Sequence, residues 1–243
     1  MLEEALPGGY VTNQVRVGDT VRRRTIGQAD FVHRLLRLFE DVDWPGAPRF
    51  LGLDESGREV LSYLDGHAAW EAQQPAVVWS QASLHRVGRL VREFHDLTAG
   101  TELAGSHEVV CHNDLSPRNT IYQDSGSGLR PVAFIDWDLA APGQRIHDVA
   151  LVCWQYLNLG PGIGDVAATA ELMQVICTGY GLADRSELVS TILWWQDRCW
   201  RGIDKEANAG MPAMLRLRES GAVDQVKAAH HWTQRHRQAL ERI

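Results

Sequence analysis

The period of apolar and polar positions changes once along the chain, near residue 65. Before it, short alternating runs dominate. Gln14 to Val17 and Thr20 to Arg24 join at Gly18-Asp19, which predicts an antiparallel hairpin. Asp30 stands as N-cap before Phe31, Leu35, Leu36 and Phe39 at helical spacing, and Pro45-Gly46 keeps that helix from continuing. Arg49 to Leu53 and Glu59 to Leu64 form a second strand pair around Glu55-Ser56-Gly57. After Asp65-Gly66, helical spacing takes over. Leu84, Val87, Leu90, Val91 and Phe94 make the apolar stripe of a helix over 80–98. Val109 to Cys111 is a short buried run, and strands at 120–122 and 131–135 flank the Ser/Gly-rich turn Gln123 to Arg130. Helices follow over 147–158, 167–179, 185–206, 211–219 and 222–241. The pattern predicts an α+β molecule of two lobes: a small antiparallel-sheet lobe over 1–64, a larger mainly helical lobe over 65–243, and a cleft between them.

Composition narrows the function classes. A chain of 243 residues buries enough surface to fold without disulfides. Apolar residues at 44% and charged residues at 23% are ordinary for a globular protein. The formal net charge of −7 argues against a nucleic-acid partner, which phosphate contacts would bind through a basic surface. Cys111, Cys153, Cys177 and Cys199 form no C-x-x-C pair, so reduced thiols in a cytoplasmic protein are expected. The opening MLEEALPGG carries two acids and no long apolar run, which predicts no secretion leader. No run of 18 apolar residues predicts a membrane span.

The chemistry concentrates in VVCHNDLSPRNTIYQDSGSGLRPVAFIDWD, residues 109–138. If 120–122 pairs antiparallel with 133–135, the paired residue numbers sum to about 255. Asn119 then lies opposite Asp136, and Asp114 lies five residues ahead in a loop made irregular by Pro117. One hairpin end thus gathers a carboxylate, an amide and a second carboxylate. Asn119 and Asp136 are hard oxygen donors, too few to enclose an ion, which suits a Mg²⁺ ion that keeps waters and phosphate oxygens. Asp114 remains free to orient a substrate hydroxyl and take its proton. Such a set suits phosphoryl transfer, where positioning and charge neutralisation dominate.

His112-Asn113-Asp114-Leu115-Ser116-Pro117-Arg118-Asn119 resembles the H-x-D-x-x-x-x-N catalytic loop, and Ile135-Asp136-Trp137-Asp138 resembles the I-D-[WF]-[DE] segment, of the aminoglycoside phosphotransferase and choline kinase-like small-molecule kinases. The resemblance implies a bilobal protein kinase-like fold. It also implies transfer of the γ-phosphate of ATP (or GTP) to a hydroxyl of a small molecule, with Asp114 as base and Mg²⁺ on Asn119 and Asp136. Asp138 stands where protein kinases carry the glycine of D-F-G, which favours the small-molecule branch. Asp148 resembles the acid that braces the catalytic loop in this family, and His112 its packing histidine. Leu6-Pro7-Gly8-Gly9 resembles the phosphate-covering loop, so Gly8 and Gly9 are expected at the nucleotide. Val60 to Leu64 resembles the hinge, where Ser62 and Leu64 would meet the base through backbone groups.

Two departures accompany the resemblance. The family's strand lysine is absent from Thr20-Val21-Arg22-Arg23-Arg24, and Val32, His33 and Arg34 stand near the place of its helix glutamate. Arginine also holds phosphate, and Arg22, on the strand face of Thr20, is the expected donor. These departures keep a second reading open, a kinase-like module that binds nucleotide or ligand without turnover. A metal-dependent hydrolase using His112, Asp114, Asp136, His147 and Asp148 is a third, disfavoured by the sparse histidines. Plainer readings stand beside the sharp ones. The three site residues also suit turns, Gly8-Gly9 an ordinary turn, and Arg22 to Arg24 a solvated edge strand. Trp194, Trp195 and Trp200 suit core packing. Asp197, Asp204 and Glu206 suit a cationic acceptor and a solvated helix face equally. Substrate, nucleotide and oligomeric state stay open at this level.

Overall fold

The computed structural model describes residues 3–6, 14–25, 27–70, 74–126 and 128–242. The expected hairpin forms where Gly18 supplies a left-handed turn: β2 (Val15–Val17) pairs antiparallel with β3 (Thr20–Arg23). A two-residue strand β1 (Glu4–Ala5) adds to the outer edge of β2. β4 (Phe50–Leu53) and β5 (Glu59–Ser62) form the second pair, and β3 pairs with β5, giving the order β1-β2-β3-β5-β4. In that register Arg23 sits directly across from Glu59.

Helix α1 (Ala29–Asp41) buries Val32, Leu35, Leu36 and Phe39, the expected stripe. Its N-cap is Gln28 rather than Asp30, which falls in the first turn, where a carboxylate suits the helix dipole. Phe39 and Trp44 enter an aromatic cluster with Phe94 and Trp137, so the small lobe and the helical lobe share one continuous apolar core.

The helical lobe opens with α2 (Gln81–Thr98), whose N-cap Ser80 accepts the Ser83 N–H at 3.2 Å. Leu84, Val87, Leu90, Val91 and Phe94 are all buried on its inner face. Two small sheets follow. β7 (Val109–Cys111) pairs with β10 (Ala141–Gly143), a strand the sequence pattern does not announce because Ala-Pro-Gly carries no alternation. β8 (Thr120–Asp124) lies between β6 (His67–Ala68) and β9 (Leu129–Phe134). The β8–β9 register departs by one from expectation: Thr120 faces Phe134 and Ile121 faces Ala133. Asn119 is therefore bridged to Ile135, whose N–H donates to the Asn119 carbonyl at 2.9 Å, and Asp136 lies one step further on.

Helices α3 (Arg145–Leu157), α4 (Val166–Tyr180), α5 (Leu188–Asn208), α6 (Pro212–Glu219) and α7 (Ala222–Leu240) complete the described chain. α2 and α4 touch backbone to backbone. A Cβ on Gly88 would stand 2.4 Å from the Ile176 carbonyl oxygen, and one on Gly179 would stand 2.2 Å from that of His85. This crossing carries α2 and its His95 to the back of the loop that follows β7. No described helix is long and apolar enough to cross a membrane.

Candidate active site

The site begins where β7 delivers the chain into the loop 112–116. Asn113 takes a left-handed conformation, φ 64°, which turns the loop under the sheet. Asp148, fully buried in the first turn of α3, fixes that turn. Its carboxylate accepts the His112 N–H at 2.7 Å and the Asn113 N–H at 3.0 Å. Burial opposes its ionisation, but His95 and these amides outweigh it and hold the carboxyl below the usual range. An ionised Asp148 only accepts, so His95 donates through Nε2 at 3.1 Å and receives Tyr180 Oη at Nδ1, 2.9 Å away. Arg145 in turn donates to Tyr180 Oη at 3.2 Å. His95, Asp148 and Cys111 lie close enough to suggest a metal cluster. Their polar atoms are already engaged, Cys111 with the Gln144 carbonyl at 3.2 Å, and the trio acts as a brace.

His112 is buried and kept neutral, its pKa lowered by desolvation. Its Nε2 lies 3.1 Å from the Ile135 carbonyl and its Nδ1 accepts the Asp114 N–H at 3.3 Å. Both nitrogens are therefore spent on holding the loop to β9.

A 3-10 turn over Pro117–Asn119 presents Asn119 to the loop. Asn119 Nδ2 donates to the Asp114 carbonyl and to Asp114 Oδ2, both at 2.8 Å. Asp114 has its pKa raised to about 7, first by burial and next by the charge of Asp136, against the Asn119 hydrogen bond. Asp136 is left-handed, φ 65° and ψ 60°, and starts the 3-10 turn Trp137–Leu139. The strained backbone aims its carboxylate toward the cleft instead of along the strand. Trp137 Nε1 donates to the Phe134 carbonyl at 3.0 Å and anchors the turn in the core.

The structure thus brings Asp114, Asn119 and Asp136 together at one hairpin end. Asn119 Oδ1 and one Asp136 oxygen have no hydrogen-bond partner among the described residues. These are hard oxygen donors beside further carboxylates, a set that fits Mg²⁺. A cavity of about 320 Å³ opens alongside, between Val21 and Leu61 on one wall and Ile121 and Ile135 on the other, with Asp136 and Arg23 at its polar end. Ser62 and Leu64 line it as expected. The Ser62 N–H and Oγ are both engaged by the Arg49 backbone, whereas the Leu64 backbone pairs with no described backbone group. Gly8 and Gly9 lie outside the described residues.

Arg22 is not brought to the site. It points to the other face of β3, with NH1 3.6 Å from Asp54. The strand alternation places Val21 and Arg23 on the cleft side, and Arg23 is the arginine that reaches it. Arg23 donates through Nε to Glu59 at 2.7 Å, and through NH1 to Asp136 and to Asp138 at 3.0 Å each. Its NH2 also meets Asp138, completing a two-pronged contact. Burial works against its charge, but the carboxylates of Asp138, Glu59 and Asp136 keep it protonated. Glu59 stands in for a helix glutamate and also holds His33 of α1 at 2.8 Å. Sequence reasoning passed over Arg23 and Glu59. The pairing of the two predicted strands carried the signal, since matching Thr20 with Ser62 sets an arginine across from a glutamate inside an apolar strand.

α5 passes close to Asp114. The Cys199 thiol is pushed up to about 11 by burial and by the charge of Asp114. Trp194 stacks on His147, ring centroids 5.0 Å apart, and Trp195 donates to the His147 carbonyl at 2.8 Å. The acids that would suit a cationic acceptor have partners: Asp197 pairs with Arg201 at 2.7 Å and Asp204 with Lys227 at 3.8 Å.

A small antiparallel lobe, a helical lobe and an oxygen-rich hairpin end at a cleft define a protein kinase-like fold. Residues 12–188 match the phosphotransferase enzyme family, and the chain belongs to that family. It is similar to the trifolitoxin immunity protein of Rhizobium leguminosarum bv. trifolii, 31% identical over 74% of this chain and 75% of that protein. Among solved structures, the GDP complex of aminoglycoside 2'-phosphotransferase-IIIa superposes with a TM-score of 0.64, covering 95% of this chain and 93% of that one at 10% identity. A choline/ethanolamine kinase family protein from Mesorhizobium loti gives a TM-score of 0.59, covering 99% and 92% at 16% identity.

Proposed function

We propose that the protein moves the γ-phosphate of ATP or GTP to a hydroxyl of a small molecule in the cytoplasm. The observation that carries this reading is the meeting of Asp114 and Asn119 with Asp136, which lines the polar end of the cleft cavity. Asn119 Oδ1 and Asp136 would hold Mg²⁺, which supplies neutralisation of phosphate charge when bound. The base of the nucleotide would sit between Val21, Leu61 and Ile121, with Leu64 offering the free backbone groups of the hinge. Gly8 and Gly9 would cover the phosphates. Asp114 would orient the acceptor hydroxyl and take its proton, Asn119 Nδ2 fixing the carboxylate for that contact. Its raised pKa matches a base working near neutral pH.

A sequence relative named for toxin immunity and a structural relative named for aminoglycosides make antimicrobial compounds the first acceptors to test. The α5 acids are already paired, so a cationic acceptor would have to compete with Arg201 and Lys227. The experiment is a screen for ADP or GDP formation over toxins, aminoglycosides, amino alcohols, nucleosides and sugars. Asp114→Ala should lower turnover by roughly 10²–10⁴-fold with the fold intact. Full activity in that variant would reject the assignment. The second reading, binding without turnover, draws on Arg23, whose guanidinium is held by three carboxylates. Calorimetric binding of Mg²⁺–ATP with no transfer across the whole panel would favour it.

A further inference from the structure

Arg23 carries five N–H groups, and four are already committed: Nε to Glu59, both of NH1 to Asp136 and Asp138, and one of NH2 to Asp138. The side chain is 5% exposed. In this arrangement the guanidinium has a single N–H to offer phosphate. It instead ties β3 and β5 of the small lobe to the segment after β9 in the helical lobe. Of its three partners, Glu59 is buried and Asp138 is 17% exposed, while Asp136 is 33% exposed and is the one that faces the cleft.

Resting on the phosphotransferase reading, we propose that Asp138 is a positioning residue, keeping Arg23 aimed at the phosphates when Asp136 turns from the guanidinium to a bound cation. Once Asp136 leaves, one NH1 hydrogen is released and joins the spare NH2 hydrogen. Glu59 and Asp138 still grip the other three. These two hydrogens lie on opposite edges of the plane, the NH2 one beside Glu59, so it is the released NH1 hydrogen that reaches a phosphate oxygen, its direction fixed by the Asp138 fork. Without Asp138 only Nε stays anchored, and the planar group swings with Asp136. Lysine at this position has the charge but no fork, so it cannot span Glu59 and Asp138 while still facing phosphate. Asp138 thereby acts through Arg23, and the two should behave as one unit.

The test is a double-substitution cycle read by calorimetric binding of Mg²⁺–ATP and Mg²⁺–GTP, with thermal melting as the control for folding. Asp138→Asn and Arg23→Lys should each weaken nucleotide binding by roughly tenfold, and the double variant by about the same factor. Asp138→Glu, which keeps a carboxylate, should retain most of the affinity. Losses that multiply to roughly a hundredfold in the double variant would overturn the inference. A Mg²⁺ titration at fixed nucleotide separates the rival role. If Asp138→Asn raises the Mg²⁺ requirement as much in the Arg23→Lys background as it does beside the native arginine, Asp138 holds the ion itself and the inference fails. Absence of nucleotide binding by the unaltered protein would overturn the functional reading and this inference together. That result is distinct from multiplying losses, which overturn the inference alone.

Discussion

Asp114 shows how the chemistry taxes stability at a single residue. Its pKa is raised to about 7 in the folded molecule, against about 3.9 for a free aspartate. A raised acid favours folding fully below its unfolded pKa and loses that contribution as pH climbs through the folded one. Asp114→Asn removes the ionisation, so the variant should melt above the parent at pH 7.5 and level with it at pH 4. Up to about 4 kcal/mol is expected, several degrees in Tm, alongside the loss of transfer. Melting curves of the pair across pH 4–8 check this, and an equal gap at both ends would contradict it. Residue identity was largely legible in the sequence here: Asp114, Asn119 and Asp136 lie in the motif region and come together, and Asp148 braces the loop behind them. Arg22 was not the arginine at the cleft because alternation in a four-residue strand is too short to fix its phase. A phase chosen one position out inverts the faces, which exchanges Arg22 for Arg23.

At the scale of elements, amphipathic stripes read out well and close approaches did not. The stripe of α2 is buried residue for residue as its spacing predicts. The hairpin register was one step off beside the site and two steps off toward the turn, the two stretches separated by a bulge between Ile121 and Tyr122 that nothing in the alternation marks. The α2–α4 crossing was likewise hidden, since Gly88 and Gly179 look like interruptions until a neighbouring backbone is seen against each. Gly88→Ala and Gly179→Ala should each destabilise the protein by about 1–3 kcal/mol or more, by forcing the helices apart. Urea unfolding measures it. Because His95 rides on α2, the same shift should loosen its hydrogen bond to Asp148 and slow any transfer as well.

For the whole molecule, the two lobes share an apolar core but meet at the site through charge. Glu59, Asp114, Asp136 and Asp138 face one another with Arg23 as the buried cation among them, and Asp138 is pushed up to about 6 by its burial. Such an excess of carboxylate should make stability respond to divalent cations with nucleotide. Mg²⁺–ATP or Mg²⁺–GTP at a hundred times its dissociation constant should stabilise the fold by about 2.7 kcal/mol. Chelation with EDTA should reverse the rise in Tm, and a rise untouched by EDTA would contradict the metal's part in binding. The mix of an antiparallel sheet followed by helices was legible because the apolar period changes from strand-like to helical along the chain. The joining of the lobes was not, because it depends on partners far apart in sequence, such as Arg23 with Asp138. The Asp148 brace has a consequence for how the molecule breathes. The two successive amides of His112 and Asn113 reach water only when that buried carboxylate lets go. The loop that carries Asp114 is therefore tied to the buried core through that joint, and these two amides should be well protected from hydrogen exchange.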